Sequence, residues 1–198
     1  SGEKNIILST CCHSVNLLVQ KHFPEALPYM APVVSPMQAH CGAIKKAHPG
    51  AKTVFIGPCI SKKSEAESYP DTVDCVLTFE ELSKWMQEEQ VVPEKKTDLS
   101  EQNEGRARLF PTAGGILRSM DRPKGEYKYI AVDGTENCIR ALEDVISGNI
   151  QGKCFIEMSA CRGSCIGGPV MDKTNRATLM DFMLVDEYAG KSDFTVPE

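Results

Sequence analysis

Cysteine is the residue type through which this sequence most directly suggests chemistry. Nine cysteines occur in 198 residues, and Cys11 and Cys12 are adjacent in the stretch LSTCCHS. Adjacent cysteines seldom bond to each other because the disulfide strains the intervening peptide. On a strand their side chains also face opposite ways, so both cannot readily reach one metal. We therefore expect Cys11 and Cys12 to have two different functions.

Four cysteines at the ends of predicted strands are candidate metal ligands. Cys12 follows NIILST, Cys59 follows TVFIGP, and Cys161 follows FIEMSA, with Cys165 four residues later. Open α/β sheets bind ligands at the carboxyl ends of their strands. Four thiolates suit a tetrahedral zinc ion or a cubane iron–sulfur cluster. Structural zinc sites usually contain CxxC pairs, which this sequence lacks. The dispersed ligands favour the cluster, while zinc and unligated core cysteines stay open as alternatives.

The composition limits the other classes of function. A net charge of −5 and a pI near 5.5 give no support for nucleic acid or an anionic membrane surface as a partner. No apolar run approaches the roughly 20 residues that span a bilayer, and no signal peptide opens the sequence. Without a secretion signal, nine cysteines favour metal or redox chemistry in a reducing, cytoplasmic compartment. Because the chain enters a strand almost at once, we expect it to be part of a larger protein.

The elements that must position these cysteines alternate between strands and helices, which predicts an α/β fold. The predicted helices begin at Ser35 with Pro36 behind it, at a capping box of Thr78 and Glu81, and at a Thr135 cap. We expect a first lobe over residues 1–90, a polar connection over 91–108 and a second lobe over 109–198; the tail from residue 172 has weak signals. The predicted buried parallel strands are residues 5–10, 52–57, 74–78, 127–134 and 153–160.

Three segments around the candidate ligands resemble a known family. STCCHS, GPCISKKSE and EMSACRGSCIGGP occur in the order of the three signature loops of the iron-only (FeFe) hydrogenase large subunit. SPMQ (35–38), DCVLTFEEL and FPTAGGIL (110–117) support the resemblance, which covers nearly the whole chain. It implies a two-lobed iron-hydrogenase-like α/β domain that holds the H-cluster between its lobes. It also implies that the first lobe is truncated at its N-terminus.

The resemblance assigns a role to each cysteine of the three loops. Cys12, Cys59 and Cys161 match the ligands of a 4Fe-4S cubane. Cys165 matches the ligand that joins the cubane to a diiron subcluster carrying CO, cyanide and a dithiolate. Cys11 matches the thiol that exchanges protons with the amine of the dithiolate, since a thiol can both donate and accept a proton.

The resemblance also implies a supporting set of polar residues. Lys62 matches the lysine that donates a hydrogen bond to a cyanide ligand, and Glu65 matches a glutamate that orients this lysine. We expect Lys63 to be a solvated lysine. The remaining expected cofactor contacts are Ser35, Pro36, Gly57, Pro58 and Ser159.

Several positions depart from the family pattern. Gly57 and Ser159 stand where strongly catalytic members carry methionines, and their small size predicts more open and more polar space around the active iron. Ala31 replaces a serine of the proton relay. These changes resemble the divergent, sensory branch of the family.

His13 replaces the usual proline next to a candidate ligand. Three alternatives stay open for its role: a proton-transfer group, a hydrogen-bond donor to cluster sulfur, or a plain loop histidine. We expect the other cysteines to be buried, inert thiols: Cys41, Cys75, Cys138 and Cys154.

The sequence supports three hypotheses about function. The first is reversible interconversion of dihydrogen with protons and electrons, tuned for sensing in the divergent branch. It requires maturation proteins and a ferredoxin-type domain or partner, since no CxxCxxC run is present. The second is a cluster-binding module like the hydrogenase-like assembly factors, which lack the diiron site. Cys11 and Lys62 favour the first, because neither is needed to hold a cubane. The third is a zinc-stapled or metal-free α/β domain.

Overall fold

The computed structural model of the chain describes residues 5–93, 105–120, 127–171 and 178–190. Within these residues, five strands run in chain order as β1 (Ile6–Leu8), β2 (Val54–Gly57), β3 (Cys75–Thr78), β4 (Lys128–Asp133) and β5 (Cys154–Ser159). The same residues form seven α-helices: α1 (His13–His22), α2 (Pro36–Ala47), α3 (Ser61–Ser68), α4 (Phe79–Glu88), α5 (Gly115–Ser119), α6 (Thr135–Ile146) and α7 (Thr178–Ala189). Short 3-10 helices cover Pro24–Tyr29, Arg106–Leu109 and Ser164–Gly167.

The strands form two parallel sheets, which confirms the predicted α/β class. One sheet has the order β1-β5-β4 and the other pairs β2 with β3. In the larger sheet, Leu8 and Ile130 both lie opposite Ile156. Strand β1 lies within the residues predicted for the first lobe, and it pairs with β5, which lies within those predicted for the second. The sequence order therefore does not give the lobe to which β1 belongs.

The helix starts that were expected from capping residues are largely confirmed. Ser35 accepts a hydrogen bond from the Gln38 amide at the start of α2, and Thr78 with Glu81 forms the capping box of α4. Thr135 as an N-cap is wrong: it is the first residue of α6, and the cap position is Gly134 with φ 86°. The chain turns there through a positive φ that favours glycine.

Two further segments differ from expectation or lie outside the described residues. Helix α7 occupies a tail that had only weak signals. Its apolar residues follow no helical stripe, and most of the large ones are exposed. The predicted polar connection, residues 91–108, continues into the 3-10 helix at its carboxyl end, and its residues 94–104 lie outside the described residues.

The larger core lies between α1, α6 and the β1-β5-β4 sheet. It contains the fully buried side chains of Leu8, Val15, Leu142 and Met158. A smaller core joins α2, α3 and β3, and its members are Met37, Cys41, Ala66, Val73 and Val76. These two cores fix the carboxyl ends of β1, β2 and β5, where the candidate ligands lie. Within the part of the chain that the structure describes, no helix is long and apolar enough to cross a membrane.

A carboxylate joins the beginnings of β2 and β3. Asp74 accepts a hydrogen bond from the Thr53 amide at 2.8 Å and forms ion pairs with Lys45 at 2.9 Å and Lys52 at 3.1 Å. The Thr53 amide and the two ammonium groups hold the pKa of Asp74 well below its usual range. The folded state therefore favours the ionised carboxylate.

We expect Asp74→Asn to lower the thermal midpoint of unfolding at pH 7 by a few degrees. Because the folded pKa is depressed, the stabilisation is present above the unfolded pKa of about 4 and is lost as pH falls further. Calorimetry at pH 7 and pH 3 checks this, and the difference between variant and wild type should shrink at pH 3. Asp144→Asn, an exposed carboxylate on α6, is the control and should change neither value. A constant difference across both pH values would contradict the assignment.

Candidate functional site

The carboxyl ends of β1, β2 and β5 lead into loops around one cavity of about 180 Å³. Three of the expected cysteine positions line it, and so does an ammonium group. We call it the cysteine cavity. Its lining includes Cys11, Cys12, Pro36, Phe55, Lys62, Glu157, Ser159 and Cys165.

Cys11 is held by contacts that cross from β1 to β5. Its Sγ lies 3.5 Å from the Ser9 hydroxyl and 3.9 Å from the Met158 carbonyl oxygen. The Met158 amide donates to the same Ser9 hydroxyl at 3.0 Å. Burial raises the pKa of Cys11 to about 11, so the thiol of the described chain is protonated at neutral pH.

Cys165 faces the cysteine cavity and is influenced by other thiols. It has a large accessible surface because it lines the cavity. Desolvation by the surrounding protein, and then the nearby Cys12, Cys59 and Cys11, raise its pKa to about 12. Lys62 opposes this rise. Cys59 is not part of the lining of the cavity.

The loops that carry Cys59 and Cys165 lie directly against each other at Gly168. A Cβ at Gly168 would lie 2.6 Å from the Pro58 carbonyl oxygen and 2.9 Å from the Cys165 carbonyl oxygen. Cys161 begins the turn that leads to Cys165, and its carbonyl accepts the Ser164 amide at 3.0 Å. The structure thus brings Cys11, Cys12 and Cys165 to one cavity and places Cys59 and Cys161 on the adjoining loops.

The donor set fits an iron–sulfur cluster. Cubane clusters take cysteine thiolates as ligands, one at each iron, and the thiols that line this space come from two loops, those after β1 and β5. Across residues 5–93, 105–120, 127–171 and 178–190, no group of three histidine, cysteine or acidic side chains is arranged to hold a single metal ion. Dispersed thiols beside an ammonium group suit a large, negatively charged cluster better than one ion.

The predicted partnership of Lys62 and Glu65 is present. Lys62 Nζ lies 2.5 Å from Glu65 Oε2 and donates to the Cys11 carbonyl oxygen at 3.3 Å. The Ser35 hydroxyl donates to the other carboxylate oxygen of Glu65. Both members of the ion pair are largely buried, with side chains 12% and 3% exposed. Glu65 therefore fixes the direction in which Lys62 enters the cysteine cavity.

The structure excludes one of the three alternatives left open for His13, because this histidine does not lie in a loop. It is the first residue of α1, it is buried, and its Nδ1 lies 4.0 Å from Glu65 Oε2. Burial lowers its pKa, and the nearby Glu65 carboxylate only partly opposes the effect. The imidazole is therefore neutral at pH 7.

The other expected cofactor contacts divide into two groups. Pro36 and Ser159 line the cysteine cavity, whereas Ser35 lies behind it, at Glu65. At Gly57 a Cβ would lie 2.8 Å from a ring carbon of Phe55, and this ring lines the cavity. The open space expected at Gly57 is thus partly filled by Phe55.

Glu157 is the buried residue of this site that the sequence analysis missed. It lies within the apolar strand β5, lines the cysteine cavity and accepts the Leu117 amide at 2.9 Å. Burial raises its pKa, while the amides of Leu117, Gly114 and Ile116 oppose the effect. Glu157 thereby attaches α5 to β5. A single acid inside an apolar run was the signal that could have revealed it.

Three of the four remaining cysteines are buried, as expected: Cys41, Cys138 and Cys154. Cys75 is exposed, so its expected burial is wrong. Cys75 is the first residue of β3, which pairs with β2 in a two-stranded sheet. Burial raises the pKa of Cys138 to about 12, in keeping with an inert thiol.

This geometry can be compared with known proteins. A model of the family described as "iron only hydrogenase large subunit, C-terminal domain" matches residues 1–127 and 118–169. The chain belongs to this family. The periplasmic Fe hydrogenase large subunit of Nitratidesulfovibrio vulgaris is 26% identical over 237 residues, covering 92% of this chain and 55% of the relative. The cytosolic Fe-S cluster assembly factor NAR1 of Kluyveromyces lactis is 38% identical over 78 residues, covering 38% of this chain and 17% of that protein.

Solved FeFe-hydrogenase structures share the fold. A structure concerned with oxygen inactivation of the enzyme has a TM-score of 0.66 and 18% identity, covering 92% of this chain and 66% of the other. A variant of HydA1 from Chlamydomonas reinhardtii has a TM-score of 0.65 and 18% identity, covering 90% of this chain and 65% of the other. The chain thus spans a little over half of the N. vulgaris relative and just under two thirds of these structures.

Gly168→Ala should destabilise the chain by about 1–3 kcal/mol, the usual cost of forcing extra volume into a close contact. The backbone at Gly168, with φ −58° and ψ 156°, suits alanine, so the effect reports the contact with Pro58 and Cys165 alone. Urea unfolding measures it. Gly105→Ala is the matched control, because its φ of −173° is extended and its added Cβ meets open space. Equal effects of the two substitutions would show that the loops are not in close contact.

Glu65→Gln should lower the free energy of unfolding by about 3–5 kcal/mol, because it leaves the buried Lys62 ammonium without its carboxylate. Adding Lys62→Met should recover part of the loss, which a double-mutant cycle in urea would measure. The control is Glu88→Gln, which removes an exposed ion pair with Lys84 and should cost less than about 1 kcal/mol. Strictly additive effects of the Lys62 and Glu65 changes would contradict the coupling.

Proposed function

We propose that this chain is the cluster-holding part of an iron-only hydrogenase that interconverts dihydrogen with protons and electrons. The observation that supports this most strongly is the cavity shared by Cys11, Cys12, Cys165 and Lys62. A proton-carrying thiol, candidate cluster ligands and a cation line the same space. Each has a separate part in hydrogen chemistry, and their convergence from distant segments favours one catalytic site.

In this proposal Cys12, Cys59 and Cys161 hold the 4Fe-4S cubane, and Cys165 links it to the diiron subcluster with CO, cyanide and dithiolate ligands. When bound, the H-cluster supplies the activation of dihydrogen and the transfer of electrons. The protein contributes thiolate ligands from three loops. The contact between Pro58 and Gly168 keeps two of those loops at a fixed separation.

Lys62 donates a charge-assisted hydrogen bond to an anionic ligand within the cysteine cavity. Its ammonium group is already oriented by Glu65 and by the Cys11 carbonyl, so little side-chain freedom is lost when the ligand binds. A cation at this position also withdraws electron density from the metal side of the ligand.

Cys11 moves the proton at its Sγ atom. Its thiol is protonated, it lines the cavity, and the Ser9 hydroxyl lies 3.5 Å away as a partner for proton exchange. Ala31 offers no hydroxyl to a proton route. In this chain the route from Cys11 can instead begin at the Ser9 hydroxyl.

The role within the family and the partners are also proposals. Gly57, Ser159 and Ala31 favour the sensory branch, with slow turnover. Electrons enter through a ferredoxin-type domain or partner, and maturation proteins build the diiron site. We propose a first lobe ending near residue 90 and a second beginning near residue 109, with β1 shared across them. A cytoplasmic location is part of the proposal, while the N. vulgaris relative is named as periplasmic.

A second candidate is a cluster-binding module without a diiron site. The similarity to NAR1, a cytosolic Fe-S cluster assembly factor, favours it over part of the chain. Cys11 and Lys62 weigh against it, because a thiol and an ammonium group facing the same cavity are not required for a cubane alone.

Infrared spectroscopy of the protein separates the two candidates. When the protein is produced anaerobically with hydrogenase maturation proteins, we expect sharp CO and cyanide stretching bands. Cys165→Ala should abolish them, because this thiolate anchors the diiron subcluster. The matched control is Cys75→Ala, which removes an exposed thiol outside the cavity and should leave the bands unchanged.

A spectrum without these bands, from protein that contains about four irons, the content of one cubane, would favour the assembly-factor candidate. Protein without iron or acid-labile sulfide after the same preparation would contradict both candidates.

A further inference from the structure

The loop between Cys161 and Cys165 has a backbone that few sequences adopt. Gly163 has φ 77° and Ser164 has φ 59°, so two consecutive residues lie in the left-handed region. Glycine adopts this region freely, whereas a residue with a side chain rarely does. Among the described residues that have a side chain, only Gln90 shares a positive φ. Such a conformation persists where contacts from the surrounding structure impose it.

The turn that joins β4 to α6 supplies contacts on the amino side of this loop. The Gly134 amide donates to the Ser159 carbonyl at 2.9 Å, and the Cys138 thiol donates to the same oxygen at 3.4 Å. The Thr135 hydroxyl donates to the Ala160 carbonyl at 3.1 Å. These bonds fix the two residues immediately before the first cysteine of the loop.

Asp133, the half-buried last residue of β4, contacts the loop on the carboxyl side of Cys161. Its Oδ2 accepts a hydrogen bond from the Gly163 amide at 2.6 Å. Hydrogen bonds to a carboxylate are stronger than those between neutral groups. Because Gly163 is the first left-handed residue, this bond holds the chain where it turns towards Ser164 and Cys165.

A second ionic contact between the turn and the loop is weaker. Arg162 forms an ion pair with Glu136 at 3.4 Å, and both side chains are about four-fifths exposed, at 83% and 78%. Exposed ion pairs contribute little to stability, since water screens the charges. The hydrogen bond from the Gly163 amide to Asp133 is therefore the main side-chain contact that holds the loop beyond Cys161.

We propose that Asp133 is a positioning residue for the candidate ligands Cys161 and Cys165. It acts through the Gly163 amide: by fixing this amide it holds the left-handed turn, which sets the direction in which both thiols leave the loop. Ligands that are already in position bind a metal cluster more tightly, because less order has to be created on binding. The role rests on the proposed function only in requiring that these thiols hold a cluster, and a cubane alone suffices.

The test is the rate at which the full chain, loaded anaerobically with ferrous iron and sulfide, loses iron to a chelator. Asp133→Ala removes the acceptor and should release iron about tenfold faster than wild type, since losing a hydrogen bond that orients a metal ligand commonly costs at least that factor. Asp133→Asn keeps an oxygen that accepts from the Gly163 amide and should release iron more slowly than Asp133→Ala. Equal rates for the two variants, or a wild-type rate for Asp133→Ala, would overturn the proposal.

Val145→Ala is the matched control for a general loss of stability. Val145 is fully buried in the larger core near the carboxyl end of α6, whereas the contacts with the loop are made at the amino end. Its truncation lowers stability but should leave iron release at the wild-type rate, at a temperature where all variants are folded. Iron release from Val145→Ala as fast as from Asp133→Ala would show an effect of stability alone and would overturn the positioning role.

Hydrogen exchange of the Gly163 amide, followed by NMR in the full chain before loading, tests the contact without any variant. We expect exchange at least about a hundredfold slower than in an unstructured peptide, as for an amide bonded within the folded state. Exchange at the unstructured rate would overturn the proposal even if Asp133→Ala does not fold. A wild-type chain that takes up no iron would instead contradict the proposed function, so the two proposals fail on different measurements.

Discussion

A single buried carboxylate, that of Glu65, holds together three segments beside the cysteine cavity. Its two oxygens accept from Ser35 and Lys62, and Lys62 also donates to the carbonyl of Cys11. A buried charge is tolerated only when it is paired and hydrogen-bonded. The start of α2, helix α3 and the loop after β1 must therefore keep their relative positions. This constraint places Cys11 and Lys62 in one cavity.

The parallel sheet supplies the complementary constraint. Because β1 pairs with β5, the loop after residue 8 meets the loop after residue 159 at the same edge. Ser9 strengthens this junction by accepting the Met158 amide and contacting Cys11. Glu157 attaches α5 to the same strand by accepting the Leu117 amide. The buried carboxylates of Glu65 and Glu157 thus both lie near the cavity. Each accepts hydrogen bonds from a neighbouring segment, and these bonds hold the loops in position.

The ion pair between Glu65 and Lys62 lies between two chemical environments. On one side, thiols, an aromatic ring and the Lys62 ammonium group surround the cysteine cavity. On the other side, Glu65 lines a separate cavity together with His13, Asn16 and Gln38. A substitution on the Glu65 side can therefore alter the direction of Lys62 without touching a candidate cluster ligand.

The α/β class, the five strands and the capping of α2 and α4 could be predicted from the sequence, and the strand-end cysteines, Lys62 and Glu65 could be named as candidate site residues. These depend on local patterns: apolar runs, capping residues and the spacing of Cys161 and Cys165 within one loop. Tertiary structure decided that β1 joins β5, that Phe55 fills the space at Gly57, and that His13 is buried beside Glu65. It also decided that Cys75 is exposed and that Glu157 faces the cavity. Each of these depends on contacts between segments far apart in the chain, whose pairing no local pattern specifies.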